Sequence, residues 1–322
     1  MICAYCEKDK PTSKEHIISQ AVLDLFPECD LTYDDVRGKV YKSEPVINDV
    51  CEECNNTKLS YIDSYAAEFI SRYFLNTYNK NQTLEIKYKY SMLQKLLMKY
   101  AYNDLRVRNR DTSYFTKDVM EFILEEEKTI LDKKVTILSG LAINTAVMPE
   151  FFMGNKKLQW IEKPVFISDS LIERIDYITG RVINRKKVEV LKIDGLQLSY
   201  LFKFNSGIFI LLCWDDTSEK YKDYEDIIPL IYPYKVLQPN DNGTAILERC
   251  THAYNFYSIN LIDTSVGMDL ADQTNSMMSL DLDPDLIRKN LSEEWFKFET
   301  RIREEHHKKK EHKKQKKKKH KK

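Results

Sequence analysis

Apolar residues Leu59, Ile62, Ala66, Phe69, Ile70 and Phe74 recur at three- and four-residue steps, the spacing of one buried helix face over 55–74. Residues 76–83 are polar and read as a connector. Over 84–90 apolar and charged positions alternate, which predicts a half-buried strand. Two helices follow, 92–105 with Leu93, Leu96, Leu97 and Tyr100 on one face, and 117–131. Strand-like runs then dominate, at 134–138, 158–167, 188–193, 198–204, 207–214 and 253–262. The runs 198–204 and 207–214 meet at Asn205-Ser206-Gly207 and read as a hairpin. A last helix is expected from Asp283-Pro284-Asp285, with Leu286, Ile287, Leu291, Trp295, Phe298 and Ile302 forming its stripe to about residue 303. The order of elements is that of an α+β protein without internal repeats.

At 322 residues the chain has room for two domains of ~100–200 residues each. The polar connector divides it into 1–75 and a larger α+β part, 76–303, whose role is open between recognition, partner binding or oligomerisation, and regulation. Residues 304–322 have nothing to bury and read as a disordered Lys/His-rich tail. A net charge of zero hides an asymmetry. Residues 308–322 carry eleven lysines against one glutamate (+10), so the rest carries 39 basic against 49 acidic residues (−10). The tail is therefore the handle for a polyanion such as nucleic acid, with an acidic protein partner, or no partner, as the alternatives. The longest strongly apolar run, Ile208 to Trp214, is far short of the ~20 residues of a membrane span, so no membrane association is expected. Cys3 and Cys6 stand where a signal region would be apolar, so the expected compartment is the cytoplasm.

Seven cysteines in such a compartment point to metal binding or scattered buried thiols rather than disulfides. Cys29, Cys213 and Cys250 stand alone and read as small core residues. Cys3-Ala4-Tyr5-Cys6 and Cys51-Glu52-Glu53-Cys54 are two C-x2-C knuckles 44 residues apart. Together they supply the four thiolates that a structural zinc takes in a tetrahedron. Between them, Glu15 directly precedes His16, the only histidine in the first 250 residues. Asn48 stands three residues before the second knuckle, and Asn55-Asn56-Thr57-Lys58 follows it.

In these residues the chain resembles the zinc-bearing HNH endonucleases. Their pattern is C-x2-C, an acid-His-Ile-Ile-Pro string, an asparagine, then C-x2-C followed by Asn or His and a lysine. The counterparts here are Glu15-His16-Ile17-Ile18-Ser19 and Cys51 to Lys58. The resemblance covers about the first 70 residues and implies a small ββα-metal domain stapled by zinc. It implies that His16 is the general base for an attacking water, which suits an imidazole near neutral pH. It further implies that Glu15 and the Asn55 amide oxygen hold a catalytic Mg2+ or Mn2+ ion, that Asn48 orients His16, and that Lys58 holds a phosphate. Simple strand alternation puts Glu15 on the opposite side from His16, so its ligation needs a local distortion. The chain departs from the pattern twice: the middle asparagine often stands about five residues before the knuckle, and Leu59 occupies a position where many members have a histidine ligand. Asn56 or Asp63 are the residues that could complete the ion site instead.

For single residues the plain alternatives are a satisfied core histidine for His16, helix capping for Asn55, a solvated lysine for Lys58 and a surface position for Asp63. Tyr73, Tyr100, Trp160, Tyr177, Tyr200, Trp214 and Tyr234 are expected in the core rather than on bases. The reading that follows is a metal-dependent DNA endonuclease, with bacterial or phage defence effectors as an analogy for its two-part build. The alternatives are a non-catalytic zinc-stabilised module binding nucleic acid or protein, and a nuclease directed at RNA.

Overall fold

The chain is seen in a computed structural model. It describes residues 1–27, 29, 31–34, 39–42, 46–78, 82–142, 157–163, 175–176, 181–182, 194–215, 221–222 and 234–248. The architecture is mixed helix and strand. In chain order come β1 (Thr12–His16), α1 (Gln20–Leu23), β2 (Leu31–Asp34), β3 (Lys39–Lys42) and β4 (Val46–Cys51). A wide turn over Cys54–Lys58 leads into α2 (Ser60–Tyr73), followed by β5 (Thr83–Tyr88), α3 (Tyr90–Val107) and α4 (Lys117–Leu124). The remaining strands are β6 (Val135–Leu141), β7 (Leu158–Glu162), β8 (Ile175–Asp176), β9 (Arg181–Val182), β10 (Leu196–Phe204), β11 (Gly207–Trp214), β12 (Lys235–Val236) and β13 (Gly243–Glu248).

The main sheet is antiparallel, in the order β12-β6-β11-β10-β7. Its β10–β11 hairpin turns through Asn205-Ser206, with Phe204 paired to Gly207 and Asn205 in the left-handed region (φ 51°). That turn has a second task. Asn205 Nδ2 donates to the carbonyls of Phe74 and Leu75, and Ser206 Oγ donates to Phe74, so the hairpin caps the open carbonyl end of α2. Gly207 is required where it stands, because a Cβ there would lie 2.6 Å from the Phe74 ring.

Helix α3 lies at the centre of the described residues. All its residues from Tyr90 to Leu105 are buried, as befits a helix covered on every side. One side meets the sheet, where the Tyr100 ring lies against Phe202 and Phe204. The other side meets β1, β4 and α2. Apolar packing among the described residues is continuous from Cys3 to Leu247, and it joins the knuckles and α2 to α3.

Several boundaries differ from the periodicity. The helix expected over 117–131 stops at Leu124, because Lys95 Nζ donates to the carbonyls of Glu125 (2.6 Å) and Glu126 (3.0 Å) and takes the place of a further turn. The strand expected over 84–90 ends at Tyr88, and Tyr90 already belongs to α3. Strand β5 pairs with β13, a partner from the far end of the described chain that the pattern did not indicate. Tyr100, Tyr200, Trp214, Tyr234 and Cys213 are core residues, as expected. The runs 188–193 and 253–262, the last helix, the tail, Tyr177 and Cys250 lie outside the described residues. Among the described residues no helix is long and apolar enough to cross a membrane.

Candidate functional site

The two knuckles meet because β1 and β4 pair in antiparallel register. Thr12 faces Cys51 and His16 faces Val46. Ala4 N–H donates to the Asp49 carbonyl (2.8 Å), which lays the first knuckle along β4. The sulfurs of Cys3, Cys6, Cys51 and Cys54 all lie within 4.8 Å of one another. Cys6 Sγ and Cys51 Sγ are 3.8 Å apart. That is the sulfur–sulfur edge of a tetrahedron with metal bonds of ~2.3 Å, and nearly twice the ~2.05 Å of a disulfide. Burial pushes the Cys3 thiol up, but the N–H groups of Cys51, Cys6 and Tyr5 converge on its sulfur and bring it down to about 7. Burial and the neighbouring sulfurs push Cys54 far up. A dication among the four stabilises thiolates that the protein alone would not, so the donor set fits zinc. Among the described residues it is the one cluster of three or more Cys, His, Asp or Glu side chains close enough to share an ion.

His16 ends β1 and is half-buried. Its carbonyl accepts from Asn103 Nδ2 (2.9 Å), and its imidazole makes no hydrogen bond among the described residues. Asn55 stands in the wide turn, where Leu59 N–H reaches back five residues to the Cys54 carbonyl (2.9 Å). Such expanded turns are common at functional positions. Asn55 Nδ2 donates to Ser13 Oγ (3.0 Å) and the Lys14 carbonyl (2.9 Å), so Asn55 staples the turn to β1 two residues from His16 and does not cap a helix. Lys58 Nζ lies 3.8 Å from Glu53 Oε1, while the other oxygen of Glu53 is taken by Lys10. The Lys10 charge holds the Glu53 carboxyl below its usual range. A phosphate at Lys58 would compete with Glu53 for it.

Three expected roles change. Glu15 points inward, 4% exposed, with Lys99 Nζ 3.1 Å from Oε1 and Asn103 Nδ2 3.1 Å from the same oxygen. Its carboxylate is thus committed to a buried ion pair and does not join Asn55 at a catalytic ion. Strand β4, not β1, carries the bulge: Asn48 and Asp49 together stand opposite Lys14. The irregularity leaves Asn48 exposed and without a hydrogen bond to His16. Asp63 is half-buried, with its Oδ1 2.5 Å from Lys99 Nζ. Leu59 is fully buried and belongs to the core. Asn56 is exposed and its side chain makes no hydrogen bond among the described residues. The set expected to hold Mg2+ or Mn2+ therefore does not assemble.

What the pattern missed is the polar stripe of α3 (Lys95, Lys99, Asn103), at four-residue steps in a buried helix. Arg106 extends it, bonding Asp49 and lying over the rings of Tyr102 (4.4 Å) and Tyr5 (5.1 Å). Tyr102 Oη donates to the Ala4 carbonyl (2.9 Å). Polar residues at helical spacing amid Leu, Met and Tyr were the available signal. A second buried carboxylate, Asp104, faces the other way and takes bonds from Tyr200 (2.9 Å), Trp160 (3.1 Å) and Arg108 (2.9 Å).

No family model, no curated protein and no solved structure matches the chain.

Proposed function

We propose that the chain is a DNA endonuclease in which His16 is the general base, carried on a zinc-stapled strand pair that runs into a helix. The supporting observation is the placement of His16. It ends β1 between two metal-binding knuckles, half-buried, with its imidazole unengaged among the described residues and Asn55 fixed two residues away. An imidazole so placed can take a proton from water without first breaking another bond. Lys58 and Lys10 offer positive charge near the second knuckle once phosphate displaces Glu53. The tail, eleven lysines in 308–322, supplies the long-range attraction that an acidic body lacks. No protein carboxylate is assigned to Mg2+ or Mn2+ in this reading.

A second reading, a zinc-stabilised module that binds nucleic acid or protein without cutting, is favoured by one observation: Glu15 and Asp63 are both spent on Lys99. Supercoiled plasmid incubated at low salt with Mg2+, Mn2+ or neither separates the two. Nicking that requires the added ion supports the nuclease. Retention of plasmid on a gel without nicking in any condition supports the binding module.

A further inference from the structure

The side chain that holds His16 comes from outside the strand pair. Asn103 lies in the middle of the polar stripe of α3 and has no solvent exposure. Its amide is saturated. Nδ2 donates to Glu15 Oε1 (3.1 Å) and to the His16 carbonyl (2.9 Å). Oδ1 accepts from Tyr5 Oη (2.8 Å) and Arg106 (2.6 Å). Two donors and two acceptor positions are all that a side-chain amide has. Turning the amide over would set its oxygen against a carboxylate and a carbonyl, so its orientation is fixed by its partners.

We propose that Asn103 is the positioning residue of His16. It registers the backbone of β1 at His16 against the first knuckle, through Tyr5, and against α3. This rests on the reading of His16 as the base. The imidazole has no hydrogen bond of its own among the described residues, so its place is set by its backbone and packing. Near-attack geometry is steep, and a shift of about 1 Å costs on the order of a hundredfold in rate. None of Asn103's four hydrogen bonds goes to a cysteine, so zinc content is measured separately from positioning.

The test compares Asn103→Ala with Asp104→Asn in the full chain. Asp104 is the next residue of the same helix and equally buried, but it bonds Tyr200, Trp160 and Arg108. Asn103→Ala should keep zinc and hold KM for plasmid within about twofold while kcat falls about 10- to 100-fold. The His16 Cε1–H resonance, identified by its loss in His16→Ala, should shift or broaden. Asp104→Asn should lower the melting temperature and leave the His16 resonance and kcat in place. The proposal is overturned if Asn103→Ala leaves both readouts at wild-type values, or if Asp104→Asn moves them as far. Should Asn103→Ala not fold, Tyr5→Phe removes one of the four partners and must produce a smaller change of the same kind; no change overturns the proposal. A wild-type protein that cuts nothing defeats the nuclease reading, and the resonance alone then decides whether Asn103 sets His16.

Discussion

Lys99 is where the packing of β1 and α2 on α3 is most exposed to attack. Its side chain has no solvent exposure, and its Nζ serves Glu15 at 3.1 Å and Asp63 at 2.5 Å. Lys99→Met keeps the length and apolar contact of the stem and removes the charge. Two carboxylates then face each other without a cation. Removing one partner of a buried pair costs about 3–5 kcal/mol. Asp63 is 21% exposed and can lean toward water, so the low end, about 3 kcal/mol, applies. For a chain of 322 residues that is a fall of roughly 4–5 °C in Tm. The loss should depend on pH. Burial already holds Asp63 above the usual carboxylate range, against the pull of Lys99. Without Lys99 that pull is gone, and the Asp63 carboxyl gains further by taking up a proton. The folded variant then binds more protons than its unfolded chain, and its stability falls as pH rises. The deficit should be smaller at a mildly acidic pH value than at an alkaline one. Lys99→Met combined with Glu15→Gln should recover part of it. Thermal melts at the two pH values decide. A deficit under about 1 kcal/mol, or one independent of pH, would refute the claim that this pair is buried and mutually dependent.

Other perturbations test separate parts. Cys54→Ser should reduce zinc from about one ion per chain to a small fraction and unfold the strand pair, measured by metal analysis and by protease sensitivity near residue 16. Lys203, in β10, is buried with its ammonium brought down to about 7 by desolvation. Below that pH the folded chain bears a buried charge. Between about pH 7 and 10 the unfolded chain binds the extra proton, so the penalty fades as pH rises. Lys203→Met should therefore raise Tm at neutral pH, and by less at about pH 10; an equal gain at both would contradict the assignment.

The parts legible in the sequence were those set by short-range chemistry. Two C-x2-C pairs declare a tetrahedral site because each knuckle fixes its own two sulfurs. The stripe from Leu59 to Phe74 declares a helix because its period is local. Leu59 was legible as a residue that cannot ligate, and its full burial adds that it packs the core. Side-chain destinations were not legible. Lys99 and Asn103 look like the polar side of an amphipathic helix until α3 is found to be buried on every face. Then each must find a partner: Lys99 takes Glu15 and Asp63, and Asn103 takes Glu15, the carboxylates that the resemblance had marked for a catalytic ion. Asn48 escaped for a related reason, since a bulge changes which residues of β4 face His16 and no local signal places it. The β5–β13 pairing joins segments separated by most of the described chain, and alternation names no partner.

The most direct measurement is plasmid cleavage by wild-type protein and His16→Ala side by side, with zinc content determined on both. Metal-stimulated nicking by the wild type, absent from a His16→Ala protein that holds the same zinc and melts at the same temperature, is the expected result. Equal cleavage by the two proteins, or none by a zinc-loaded wild type that binds the plasmid, would contradict the assignment of His16 as the base.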